Sequence, residues 1–177
     1  MERPRAPKKL DADGLWEYAL RVLARRSQSS AELKQKLSLR AASPAVVTAV
    51  LAKLRDYGMA DDAKFAESFA SSRLRNQGFG KMRVLRDLQS KRVGQAIAQR
   101  AVEKTFEGTE ELDLARQFLE RKYRGRSVAE LLKDERNMAA AYRRLRTAGF
   151  SGSVSLSVLK SYGVSAPADF EEAPEEE

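Results

Sequence analysis

Apolar residues recur every three or four positions along almost the whole chain, and this spacing predicts helices throughout. Trp16, Ala19, Leu20 and Leu23 share one face, with Glu17, Arg21 and Arg25 turned away from it. Ser29-x-x-Glu32 is a capping-box pattern that opens a second helix bearing Leu33 and Leu37. Ser43-Pro44 opens a third, with Val47, Val50, Leu51 and Leu54 inward and Gly58 as its stop. The order then returns. Asp61 caps a helix with Phe65, Phe69 and Leu74, Gly78-Phe79-Gly80 breaks the chain, and Leu85 and Leu88 mark the next inward face. Ile97, Ala101 and Val102 follow. After Gly108 come Leu112, Ala115, Phe118 and Leu119, then Met138, Ala141, Tyr142 and Leu145, and after Gly149 a short element over residues 151–162.

This order predicts an all-α chain of three tandem three-helix, helix-turn-helix-like repeats. Leu37, Leu88 and Leu145 correspond, and Val47, Ile97 and Val154 follow them by nine or ten residues. A unit of this size buries little alone, so its neighbours stack, and an elongated, curved rod is the expected shape. The expected boundaries are a flexible basic arm over residues 1–14, repeats over 15–59, 60–108 and 109–164, and a disordered acidic tail over 165–177. Two segments read less simply. Val154 to Val158 alternates as a strand does but has no strand partner, and is assigned to helix. Arg126 to Glu135 fits either an extension of the following helix or a separate turn.

Composition narrows the chemistry. The 177 residues contain no cysteine and no histidine, which removes disulfides, the common zinc ligands and the Cys–His and Ser–His nucleophile pairs. No apolar run approaches a membrane span, and the basic start, Met1 to Lys9, has no apolar stretch behind it. A soluble, cytoplasmic protein is expected. The formal charge is +8, but residues 169–177 hold six acids and no base, leaving +14 on the rest. Such a body points to a polyanionic or acidic partner.

The bases are clustered. Nine lie between Arg73 and Lys104 against two acids. The candidate binding residues are Arg73, Arg75, Lys81, Arg83, Arg86, Lys91, Arg92, Arg124, Arg126, Arg143, Arg144 and Arg146. Arg83 and Arg86 are read as a solvent face opposite Leu85 and Leu88, broken only by Asp87. Arginine forks suit phosphate and carboxylate alike. Phe79 is assigned to turn packing rather than base stacking, and Trp16, Phe65, Phe69 and Phe118 to the core. Gly78-Phe79-Gly80-Lys81 lacks the spacing of a phosphate-binding loop. Asp61-Asp62 is read as helix capping rather than a catalytic pair. No metal site, cofactor or catalytic residue is assigned. The acidic tail is a candidate to fold back onto the arginines.

Three blocks of this sequence resemble the RecX family of recombination regulators. They are Arg26-Ser27 with Ala31-Glu32-Leu33 and Lys36-Leu37; Asp61-Asp62-Ala63-Lys64-Phe65-Ala66 with Phe69, Arg73, Gly78, Gly80 and Leu88; and Ala148-Gly149-Phe150-Ser151 with Val158-Leu159. The likeness covers about residues 15–163. The chain departs from the family pattern at Lys91-Arg92, where the family usually has Lys-Gly, and lacks a glycine near Leu39 to Ala42. The resemblance implies a non-enzymatic modulator that lies along the filament of the RecA recombinase on DNA, as proteins of this kind usually inhibit its extension or promote its disassembly; a monomer is expected. The resemblance also makes RecA the expected partner, with weak, salt-sensitive contact to single- or double-stranded DNA. The competing reading is a direct DNA-binding helix-turn-helix or nucleoid-type module without RecA.

Overall fold

The computed structural model describes residues 9–163. Ten α-helices and one π-helical segment occupy them: α1 (Ala12–Arg25), α2 (Ser30–Arg40), α3 (Pro44–Asp56), α4 (Asp62–Ser72), the π segment (Arg73–Gln77), α5 (Lys81–Ser90), α6 (Gln95–Thr105), α7 (Glu111–Lys122), α8 (Val128–Leu132), α9 (Glu135–Thr147) and α10 (Gly152–Lys160). Among the described residues there is no strand, only an isolated bridge between Leu10 and Ala41. No helix among them is long and apolar enough to cross a membrane.

Short polar side chains start these helices by satisfying N–H groups that have no partner within the helix. Asp11, Ser29, Ser43, Ser127, Asp134 and Ser151 each accept from a backbone N–H of the first turn. Asp61 accepts from the N–H groups of Ala63 and Lys64, which holds its carboxyl below the usual carboxylate range. Its neighbour Asp62 accepts instead from the N–H of Ser30, the first residue of α2, at 2.7 Å. The paired aspartates thus cap two different helices.

The chain divides into two compact units, Met1–Ala66 with Gln89–Ala98 and Glu67–Leu88 with Gln99–Glu177. In the first, Leu15, Ala19, Leu33, Leu37, Val47, Val50, Leu51 and Leu54 form the core. In the second, α10 packs on α7 and α9, and Leu119, Leu145, Phe150, Val158 and Leu159 are almost wholly buried. Each fully buried leucine or phenylalanine stabilises its unit by about 1.5–3 kcal/mol relative to exposure.

Burial fixes the repeat register. On the first helix of each repeat the buried pairs are Leu15 and Ala19, Ala66 and Ala70, and Ala115 and Leu119. On the second they are Leu33 and Leu37, Val84 and Leu88, and Ala141 and Leu145. On the third they are Val47, Val50 and Leu51; Ala98, Ala101 and Val102; and Ser155, Val158 and Leu159. Leu15 to Ala66, Leu33 to Val84 and Val47 to Ala98 are each 51 residues apart. Ala66 to Ala115 is 49 residues, whereas Val84 to Ala141 and Ala98 to Ser155 are each 57. The extra eight residues precede the second helix of the third repeat, where α8 is inserted.

This register corrects several expectations. Ile97 is 38 % exposed and Ala98 is buried in its place; Val154 yields likewise to Ser155. Ser155 tolerates burial because its hydroxyl donates to the Ser151 carbonyl at 2.7 Å. Leu85 is half-buried while Val84 faces the core, and Leu112 is exposed while Leu114 is buried. Trp16, Phe69 and Phe118 lie half-buried at the rim of the core, and Phe65 alone of that group is buried. The arm expected over residues 1–14 is shorter: Leu10 bonds to Arg40 and Ala42, and Ala12 to Gly14 belong to α1. Residues 1–8 and the acidic tail lie outside the described residues. The alternating stretch at Val154 is helical, as expected, and the ambiguous segment over 126–135 holds the separate helix α8.

Candidate functional site

Two glycine turns build the site. Gly78-Phe79-Gly80 precedes α5, and Ala148-Gly149-Phe150 follows α9. The N–H of Gly80 donates to the Ala148 carbonyl at 2.8 Å, and the N–H of Met82 to the Gly149 carbonyl at 3.3 Å. The start of α5 is therefore capped by the end of α9. Neither turn has room for a side chain at these glycines. A Cβ on Gly80 would strike the Gly149 carbonyl, and one on Gly149 would strike the backbone of Arg83. Gly149 also has φ of +93°, which disfavours other residues.

Beside this junction lies an open groove of about 450 Å³, lined by Phe79, Arg83, Phe118, Lys122, Ala140, Arg143, Arg144, Thr147 and Ala148. Its floor is aromatic and small-apolar. Phe79 and Phe118 have ring centroids 6.4 Å apart, and Phe118 continues to the buried Phe150 at 5.8 Å. The groove is anchored to the core by that chain of rings, and its rim carries four cations.

The cations differ in what already holds them. Arg83 donates to Asp87 at 3.0 Å and to the Thr147 carbonyl at 3.1 Å, and lies over the Phe79 ring. Arg73 pairs with the same Asp87 at 3.2 Å and lies over Phe69. Two guanidinium groups thus share one carboxylate. Asp87 does not interrupt a solvent face of arginines; it organises it, and Arg83 is half-buried. Arg144 donates to the Tyr123 hydroxyl and covers its ring, while remaining exposed. Lys122 and Arg143 are exposed and make no ion pair or hydrogen bond among the described residues.

The other candidates fall elsewhere. Arg146 donates to the Phe150 carbonyl at 3.2 Å and braces the turn. Arg75 reaches the Ser71 carbonyl at 3.4 Å. Lys81 and Arg86 on α5, and Arg124 and Arg126 in the turn after α7, are exposed. Lys91 and Arg92 belong to the first unit. Lys91 is committed within the fold: its ammonium donates to Glu32 at 2.9 Å, and its carbonyl accepts from the Ser29 hydroxyl at 2.6 Å. Burial works against the Glu32 charge, but the bond and charge of Lys91, aided by Arg26, outweigh it and hold the carboxyl below its usual range. The capping box is therefore half-formed, with Ser29 capping Glu32 and the Glu32 side chain serving Lys91. Arg92 has φ of +57°, so the chain keeps a left-handed residue there without glycine. Lys122, from the basic run that also holds Arg124 and Arg126, lines the groove beside Phe118. Its spacing of four from Phe118 on one helix face is the sequence signal for that placement.

Known proteins share the helical fold. Residues 16–54 match the first three-helix domain of RecX, and residues 61–102 match the second. The chain is 36% identical over 124 residues to the regulatory protein RecX of Chromohalobacter salexigens, covering 69% of this chain and 80% of that one. It is 28% identical over 169 residues to the regulatory protein RecX of Deinococcus radiodurans, covering 94% of this chain and 78% of the other. The crystal structure of RecX from Lactobacillus salivarius has the same fold at a TM-score of 0.68, with 18% identity over 86% of this chain and 97% of that one. Helical repeats in matching order, the two family domains and these relatives together establish that the chain belongs to the RecX family of regulatory proteins.

Proposed function

We propose that this chain acts as a cytoplasmic monomer that binds along the RecA–DNA filament and restrains the recombinase, without catalysing a reaction. The observation that carries this reading is the second-unit groove, where Lys122, Arg143 and Arg144 stand exposed around Phe79 and Phe118. Cations held on a rigid helical frame suit the phosphates and acidic side chains of a nucleoprotein polymer. Modest contacts of this kind sum when one chain spans several subunits of a repeating target. The chain's lack of cysteine accords with a reducing compartment. Lys81, Arg86, Arg124 and Arg126 supply further exposed charge. Arg73, Arg83, Arg146 and Lys91 act first on the fold, through the bonds described above.

The test is RecA-driven strand exchange and ATP hydrolysis on single-stranded DNA, with the wild-type chain and with Lys122→Glu, Arg143→Glu and Arg144→Glu combined. The combined variant is expected to lose most of its inhibition. Inhibition equal to wild type refutes this surface.

A second reading is direct contact with single-stranded DNA. The open rings of Phe79 and Phe118 beside guanidinium groups favour it, because a base stacks on such a platform whatever its identity. Affinity for naked DNA equal to that for the filament supports this reading over the first.

A further inference from the structure

The groove is built for a ligand that brings an aromatic ring and several negative charges within a few residues. Phe79, Phe118, Ala140 and Ala148 offer an apolar seat, and Arg83, Lys122, Arg143 and Arg144 surround it. The chain itself contains such a segment. Asp169-Phe170-Glu171-Glu172 places one phenylalanine among three acids, and residues 165–177 include no base. We propose that this groove is a docking site for an acidic, aromatic-bearing peptide, and that its occupant is the chain's own Asp169–Glu172 segment.

Connectivity allows it. The described chain ends at Gly163, directly after Tyr162, whose hydroxyl donates to Glu120 of α7 at 3.3 Å. Phe118 and Lys122, two residues either side of Glu120, line the groove from the same helix. The path from Gly163 therefore needs only to round one helix, about 10–12 Å across. The seven residues from Gly163 to Phe170 span up to about 24 Å when extended.

The chemistry matches on both counts. Phe170 would add a third ring to Phe79 and Phe118, at the spacing where edge and face contacts are favourable. Asp169, Glu171 and Glu172 would meet the rim cations, of which Lys122 and Arg143 make no ion pair among the described residues. A tethered segment acts at an effective concentration near the millimolar range, so weak intrinsic affinity suffices. Docking would mask the same cations that the filament reading uses, and an outside polyanion would have to displace the segment. The docking does not depend on that reading and is measured without RecA.

The experiment uses a fluorescein-labelled synthetic peptide of residues 166–177. It is titrated by anisotropy with the full chain carrying Phe170→Ala, whose own segment is weakened, at low ionic strength. Saturable binding is expected. It should fall by about tenfold when Lys122→Glu and Arg143→Glu are added to the chain, and similarly when the peptide carries the alanine. Equal binding of the two peptides, or no saturation, overturns the proposal, because diffuse charge attraction alone does not distinguish phenylalanine from alanine. In a second arm, a short oligothymidylate is titrated with the wild-type chain and with its Phe170→Ala variant. The variant is expected to bind it about three- to tenfold more tightly, by loss of the tethered competitor. Unchanged affinity refutes the masking. Circular dichroism confirms that each variant keeps the wild-type helix content.

Discussion

Gly80 and Gly149 meet backbone to backbone: the Gly149 carbonyl occupies the space where a Gly80 side chain would begin. The two glycine turns of the sequence are thus one structural joint, with Gly80 bonded to Ala148 and Met82 to Gly149. Gly80→Ala should destabilise the chain by about 1–3 kcal/mol, the usual range for forcing extra volume into a packed site. Urea unfolding is the measurement. Gly94→Ala serves as the control, since nothing lies within 4 Å of a Cβ there. A Gly80→Ala midpoint no lower than that of the control would contradict the joint.

Arg92 holds the opposite kind of position. It is the one non-glycine residue with positive φ among the described residues. A left-handed conformation costs a side-chain-bearing residue roughly 1–2 kcal/mol, which glycine avoids. Part of that gain is offset by glycine's greater freedom in the unfolded chain. Arg92→Gly is therefore expected to stabilise by about 1 kcal/mol, seen as a raised urea midpoint with an unchanged slope. Arg92→Val, with its β-branched side chain in the same conformation, should do the reverse.

These two turns show what the sequence made legible. Helix starts were readable because capping is local: Ser29, Ser43 and Asp61 each act within four residues of their own position. The three-repeat order was readable because apolar spacing repeats. Its exact register was not, because alanine and serine carry little hydropathy signal. Ala98 and Ser155 fill the positions that larger neighbours, Ile97 and Val154, were assigned. The site was less legible still. Charge counting found the arginines, but not that Asp87 joins Arg73 to Arg83 or that Lys91 is spent on Glu32. The Arg73–Asp87 and Lys91–Glu32 pairs join residues 14 and 59 positions apart, and no local pattern marks them, whereas Arg83–Asp87 lies at the i,i+4 spacing of one helix face.

The Glu32–Lys91 pair gives a pH dependence. The folded Glu32 carboxyl titrates below its ordinary value of 4.5. A lowered folded pKa means that the unfolded chain binds the proton more readily, so this contribution is present above about pH 4.5 and fades as pH falls through the folded value. Glu32→Gln should lower Tm at pH 7, where the ion pair is intact. It should also narrow its difference from wild type as pH drops from about 5 to 3. A gap that stays constant over that range would show that Glu32 acts by packing alone.

The sharpest separation of site from scaffold comes from comparing two charge reversals of equal size. Arg143 is exposed and makes no ion pair among the described residues, so Arg143→Glu removes one cation from the groove rim and leaves the fold's own bonds in place. Lys91→Glu sets a carboxylate against Glu32, 2.9 Å from the present ammonium, and leaves two partly buried like charges facing each other. Arg143→Glu should therefore leave Tm within a degree or two while weakening binding to single-stranded DNA and lowering the salt slope of that binding by about one. Lys91→Glu should lower Tm by several degrees, because an uncompensated, partly buried charge pair costs far more than a surface change. Its binding at temperatures where it stays folded should change less than that of Arg143→Glu. If Lys91→Glu instead keeps wild-type stability and loses the greater share of binding, the functional cations lie on the first unit. The groove between Phe79 and Phe118 would then have to be given up as the contact surface.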